Sequence, residues 1–358
     1  MQHKKSGVDI ELGNKSSETA YGYAKETFVN RIGKAGAIGS KADGGFSNLL
    51  IFGNQRIGIG SDGIGTKAEI AERTGIYHTL GYDLTAMVAD DLAVAGFEPT
   101  NLSNVIDVDF IDPQIIAELM RGLRDACNFA GIAITGGEIA ELGNRIGGYG
   151  TGMHFNWSST AIGILPDNLE QGIDGSDLEV GDVVIALKSR GFRSNGFSSV
   201  RRILTEAFGN EWHNQPFDNQ ITWGEKVLTP SLIYAPVITK IIKAGLPFKG
   251  AAHITGGGII ENFRRVLKIK NFGAKLDNLF EPLPEMNEIQ KLGNISNHEA
   301  YLWWNMGNGM LIVTSPEKQD EVLQILSESG YTAQVAGTIT QNSSVSVEFK
   351  GFTITKHY

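Results

Sequence analysis

Acidic residues stand beside glycines at three places in this chain. They are Asp62 in "GIGSDGIGTK" (58–67), the adjacent Asp90 and Asp91 in "VADDLAVAGFEP", and Glu138, followed by Glu141, in "TGGEIAE". Carboxylates at strand ends beside flexible backbone suit a nucleotide-bound magnesium ion, which takes one or two carboxylates, some waters and phosphate oxygens. Each acid taken singly is as readily a helix cap or a first-turn acid. Their recurrence points to a metal–nucleotide site. In the run 58–67, glycines such as Gly63 and Gly65 would let amides approach phosphate, with Thr66 beside them; Asp62 would hold magnesium and Lys67 would neutralise a phosphate oxygen. The run is not a P-loop, because isoleucine and threonine interrupt the required spacing.

Two further glycine turns lead into amphipathic stretches. "AHITGGGIIENFRR" carries His253, Thr255, Gly256 and Gly257, and "SRGFRSNGFSSVRR" carries Arg193, Ser194 and Asn195. A glycine turn opening a helix is an anion site by virtue of its dipole and free amides. Equally, the first could be a structural turn with a surface histidine and the second a plain strand-to-helix connection. No Ser-His-Asp order, HExxH pattern or post-strand GxGxxG is present, which weighs against hydrolase, zinc-peptidase and dehydrogenase chemistry.

The elements that must position these residues alternate. "NLLIF" and "RIGIG" read as strands around a turn at Gly53–Asn54, and 80–95 has a helical repeat stopped by "GFEP". "NLSNVIDVDF" reads as a strand, "PQIIAELMRGLRDACNFAG" as an amphipathic helix opened by proline, and "IAITGGE" as a strand ending in a glycine turn at Gly136–Gly137. A polar segment, "DNLEQGIDGSDLEVGD", marks a domain boundary, giving domains 1–166 and 167–358. The second half repeats the strand, turn and helix order and ends in a β-ribbon. The fold class is α/β.

With Lys+Arg 31 against Asp+Glu 40, the net charge of -9 excludes the electrostatic footprint of a nucleic-acid binder. Glycine is in excess, 45 of 358 residues, and clusters between apolar runs, as at Gly44–Gly45, where loops could bring backbone to a ligand. The single cysteine, Cys127, reads as a small buried hydrophobe. No apolar signal core and no run near the ~20 residues of a membrane helix are present, so a cytoplasmic protein without membrane association is expected.

Taken in order, the blocks "SGVDIELGN", "SDGIGTK", "DDLAVAGFEPT", "TGGEIAE", "RSNGFSSVRRIL", "LTPSLIY", "AHITGGGIIENFRRVL" and "HEAYLWWNMGNGM" resemble the phosphoribosylformylglycinamidine cyclo-ligase family over nearly the whole chain. The resemblance implies two α/β domains, each a mixed sheet with helices packed on one side, and a homodimer whose N-terminal sheets pair into a barrel. It implies ATP-dependent ring closure of formylglycinamidine ribonucleotide in purine synthesis, with magnesium–ATP as cofactor and potassium as a further ion whose need the residues leave open. Carried over by motif, Asp62, Asp91 and Glu138 would be metal or phosphate-region ligands. Gly63, Gly65, Thr66, Lys67, Gly136 and Gly137 would line the nucleotide. Asn195 and His253 would lie at the reacting centre, with Thr255, Gly256 and Gly257 supplying amides.

The chain departs from the family at Arg193, where a histidine is usual, and in "LGNRIGGYGTGMHFN" after Glu141; the family's N-terminal lysine could be Lys25 or Lys34. Thiamine-monophosphate kinase, selenophosphate synthetase and a hydrogenase-maturation dehydratase share the superfamily. The missing N-terminal and C-terminal cysteines and the "LTPSLIY" block argue against each. The remaining alternatives are another small-molecule kinase of the superfamily and a non-catalytic nucleotide-binding paralogue.

Overall fold

The computed structural model describes residues 10–39 and 47–358; the first nine residues of the chain and the Gly44–Gly45 pair lie outside them. Two mixed sheets organise the chain. The first contains β1 (Ala37–Ile38), β2 (Asn48–Phe52), β3 (Gln55–Gly63), β4 (Glu98–Val108), β5 (Ala133–Glu141) and β6 (Phe155–Ile164), in the order β1-β2-β3-β6-β4-β5. Only β4 and β5 run parallel. The second contains β7 (Val183–Lys188), β8 (Gly250–His253), β9 (Gly273–Leu276), β10 (Asn308–Thr314), β11 (Ala333–Thr340), β12 (Ser344–Phe349) and β13 (Phe352–His357), in the order β13-β12-β9-β11-β7-β10-β8. Here β9 and β12 are the parallel pair. Strand β10 is buried throughout and β7 as far as Leu187, so the centre of this sheet is covered on both faces.

The helix Leu80–Val94 lies between the two halves. It packs on β3, β4 and β6 of the first sheet and also against β8 and the helix Ala235–Lys243. Such a helix must be apolar nearly all round, and Leu84, Met87, Val88 and Leu92 are all buried; so are Asp83 and Asp90, which therefore need partners. The helix Pro113–Ala130 starts where Asp112 accepts from the amides of Gln114 (2.8 Å) and Ile115 (3.3 Å), with Pro113 in the first turn. Its Gly122 meets Gly81 backbone to backbone, so the two helices cross without side chains between them.

Two sequence expectations change at this level. The strand read in "RIGIG" runs on through Ser61–Gly63, which continue the β6 ladder rather than open into a loop. Gly58 is there because Phe97 packs on the sheet, where a Cβ would come within 2.6 Å of that ring. Gly65, at φ +57, is the residue of the motif held in the left-handed region. Likewise β5 runs straight through Gly136–Gly137, with a bulge where the pairing steps from Leu102–Ile134 to Ser103–Gly136, so no glycine turn ends that strand.

Candidate active site

Consecutive positions on the central helix send Asp90 and Asp91 to different partners in the second half of the chain. One Asp90 oxygen accepts from the amides of Tyr234 (2.7 Å) and Ala235 (2.8 Å), capping the helix Ala235–Lys243 from outside its own sequence. The other accepts from Arg193 Nη2 at 2.8 Å. Arg193 Nη1 donates to the Leu232 carbonyl (2.9 Å), and the guanidinium lies over the Tyr234 ring. Asp91 Oδ1 pairs with His253 Nδ1 at 2.7 Å, while His253 Nε2 lies 2.6 Å from Arg193 Nη2. His253 is fully buried, and burial, reinforced by the Arg193 cation, pushes the imidazole down to about 3. Burial thereby favours the neutral ring.

Asp91 is the member of this set that reaches solvent, at 23% side-chain exposure. Burial pushes its carboxyl up to about 7 against the pull of Arg265 and Arg193. Asp62, at the end of β3, is pushed up to about 6 by burial, held back by the Gly63 amide and raised further by the Asp91 charge. Two acids whose charges burden each other are an arrangement that a bound cation would relieve. Directly across from Asp62 in register, Ser159 has a buried hydroxyl with no protein partner; Asn104 and Gly137 continue the row on β4 and β5.

Gly65 brings the end of β3 to the Arg193–Gly196 turn, its missing Cβ 3.7 Å from the Ser194 carbonyl. In that turn Ser194 Oγ and Asn195 Oδ1 are buried without protein partners, and the Asn195 amide nitrogen faces Gly256. The helices that follow, Phe197–Phe208 and Gly258–Leu267, begin at left-handed Gly196 and Gly257 with no side-chain cap. Asn262 Nδ2 donates to the carbonyls of Thr255, Gly256 and Gly258, gathering acceptors on its own side of the loop. Uncapped helix starts are anion sites, so a dicarboxylate corner and two amide-rich turns share one region.

Among the described residues no three His, Cys, Asp or Glu side chains could hold a metal ion by themselves. A magnesium ion held by Asp62 and Asp91 would have to complete its shell with water and phosphate oxygens. Three expected residues are placed differently. Lys67 is fully buried, bound to Asp83 at 2.8 Å and to the Thr229 carbonyl at 2.8 Å, so its ammonium faces the interior and not a phosphate. Glu138 pairs in register with Val105 and, through it, Ser158, on the sheet face opposite to Asp62, so it does not join the two aspartates within one protomer. His253 is enclosed by Arg193 and Asp91, so it reaches the centre only through Asp91. Sequence reading missed the Arg193 fork, the Asp90 cap and the Lys67–Asp83–Ser231 cluster. Their signal was present in charged residues at core positions of a helix otherwise apolar all round.

Among the described residues no helix is long and apolar enough to cross a membrane. Residues 46–165 match the AIR synthase related protein, N-terminal domain, and residues 179–350 match the corresponding C-terminal domain. The phosphoribosylformylglycinamidine cyclo-ligase of Chromobacterium violaceum is 34% identical over 346 residues, 95% of each chain. That of Pyrococcus furiosus is 34% identical over 354 residues, 98% of each chain. Among solved structures, the HypE-HypF complex aligns with a TM-score of 0.61 at 15% identity, covering 87% of this chain and 92% of that one, which supports the fold. With both halves matched and cyclo-ligases aligned from end to end, the chain belongs to the AIR synthase related family, the family of the phosphoribosylformylglycinamidine cyclo-ligases.

Proposed function

We propose that this chain is a cytoplasmic, ATP-dependent cyclo-ligase of purine synthesis that closes formylglycinamidine ribonucleotide to aminoimidazole ribonucleotide, releasing ADP and phosphate. The observation that carries this reading is the end-to-end match to cyclo-ligases at 34% identity. The dicarboxylate corner supports it. In the reaction the formyl oxygen takes the γ-phosphoryl group of ATP, an amidine nitrogen attacks the same carbon, and phosphate leaves as the ring closes. Asp62 and Asp91 are the residues suited to hold magnesium, which when bound would neutralise charge on the transferring phosphoryl group. Asn195 and the amides after Thr255 are suited to the substrate's anionic and amide groups. His253 takes no proton in this scheme, because its Nε2 already accepts from Arg193.

The division into 1–166 and 167–358 is part of the proposal, supported by β1–β6 and β7–β13 forming separate sheets. So is a homodimer through the first sheet, whose outer face exposes Ile59 (37%), Val105 (38%) and Ile162 (39%).

The test incubates purified protein with formylglycinamidine ribonucleotide, ATP, magnesium and potassium, with a substrate-free control. ADP and the aromatic amine rising together only with substrate is the expected result. ATP binding without either product would favour another kinase substrate or a non-catalytic paralogue. Asp91→Asn should lower turnover on the order of 100-fold or more; full activity in that variant removes Asp91 from the metal site.

A further inference from the structure

We propose that Arg193 is a positioning residue: it locks His253 in the Nδ1–H tautomer, making the imidazole a fixed donor that aims Asp91, while the same guanidinium nitrogen holds Asp90 away. The assignment follows from donor arithmetic. A guanidinium carries only N–H donors, and Arg193 Nη2 lies 2.6 Å from His253 Nε2, so that ring nitrogen is the acceptor. The proton must then be on Nδ1, which donates to Asp91 Oδ1 at 2.7 Å. The second hydrogen of Nη2 goes to Asp90 Oδ2 at 2.8 Å, and Nη1 goes to the Leu232 carbonyl at 2.9 Å. Asp90, Arg193 and His253 are fully or nearly fully enclosed, while Asp91 and Leu232 are partly exposed, so the Arg193–His253 and Arg193–Asp90 contacts lie away from water.

The backbone supplies an independent observation. Arg193 has φ +64, a left-handed conformation that is strained for a non-glycine residue and that clusters at functional sites. The turn keeps it because the guanidinium must reach three acceptors from different elements: the central helix, β8 and the Leu232 segment. Without Arg193, adjacent Asp90 and Asp91 would lie beside one another and an uncommitted imidazole. With it, Asp90 is consumed by the arginine and a helix cap, and Asp91 keeps an oxygen, Oδ2, that neither the fork nor the imidazole uses. That this oxygen serves magnesium–ATP rests on the function proposed above; the tautomer does not.

The experiment has two readouts on the full-length chain. The first is the nitrogen spectrum of 15N-histidine-labelled protein, with His253 assigned by its loss in His253→Gln. Expected is a protonated Nδ1 and an unprotonated Nε2 at neutral pH in the wild type, unchanged in Asp91→Ala because Arg193 alone dictates it. A protonated Nε2 in either protein overturns the proposal, and neither measurement alters Arg193 or depends on which reaction is catalysed. The second is kinetic, per folded enzyme. Arg193→Lys should lose about 10–100-fold in kcat with the KM for formylglycinamidine ribonucleotide unchanged, as for other residues that orient a ligand-holding group, since one ammonium cannot reproduce the fork. Wild-type kcat in Arg193→Lys refutes the positioning role. An enzyme inactive on that substrate but showing the stated tautomer would sink the proposed function and leave the lock standing.

Discussion

Replacing Lys67 with methionine separates two accounts of one residue. The ammonium is fully buried 2.8 Å from Asp83 Oδ1, which also accepts from the Ser231 amide (3.0 Å) and hydroxyl (2.5 Å). Burial pushes the lysine down and the aspartate up from their ordinary values, and their mutual attraction opposes both shifts. Methionine fills the volume but leaves Asp83 charged and alone, which costs about 3–5 kcal/mol. At about 2–4 °C per kcal/mol for chains somewhat shorter than this one, the thermal midpoint should fall by about 6–20 °C. Adding Asp83→Asn removes the stranded charge and keeps an oxygen for Ser231. What remains is the Thr229 carbonyl without its donor, about 1–3 kcal/mol, so the double variant should melt above the single one. Scanning fluorimetry reads the midpoints, and titration with an ATP analogue reads the nucleotide affinity. If Lys67→Met melts with the wild type but binds the analogue weakly, the lysine faces a phosphate and the interior assignment is wrong.

Asp62 and Asp91 both titrate above their unfolded values, at about 6 and about 7, so the folded chain without metal binds more protons than the unfolded one. Their contribution to stability is complete below the unfolded value of 3.8 and is lost as pH rises through the folded values. Magnesium requires the ionised forms, so its upward shift of the melting midpoint should grow between about pH 5.5 and about pH 8; a pH-independent shift would place the ion elsewhere. Gly58→Ala puts a Cβ 2.6 Å from Phe97 and should destabilise by about 1–3 kcal/mol. Gly60→Ala, two residues along with nothing within 4 Å, should be neutral or stabilising by up to about 1 kcal/mol, and denaturant melts of the pair check the contrast. If the proposed homodimer forms through the exposed sheet face, light scattering should find the wild type dimeric and Ile162→Asp monomeric; a dimer that survives the change moves the interface to another surface, and a monomeric wild type refutes it.

Local pattern and tertiary contact were legible to different degrees. The proline-opened helix Pro113–Ala130, the central helix Leu80–Val94 and the strand β4 each had a period or a stop signal within their own residues. Asp62 was singled out beside the glycines of "SDGIGTK", and Asp91 through the resemblance of "DDLAVAGFEPT" to the family's block. "RIGIG" was legible as a strand, but the glycines around Asp62 hid that it continues to Gly63. The glycine at 58 is explained only by Phe97, which lies dozens of residues away in sequence and needs the room a missing side chain leaves. Lys67 misled for a similar reason: its partner Asp83 lies a turn of chain beyond any local pattern, and Ser231 comes from the other half. Glu138 failed on parity, because one residue along a strand exchanges one sheet face for the other.

The central helix also bears on how this chain could be divided. Its Asp90 caps the helix Ala235–Lys243 and neutralises Arg193, its Asp91 meets His253, and its Asp83 anchors Ser231, so one element of the first half supplies the counter-ions and the cap of the second. A chain cut between β6 and β7 would leave complementary sets of buried charges on its two fragments. The pieces should find each other in solution as halves of one folding unit, and neither should persist as a free-standing domain.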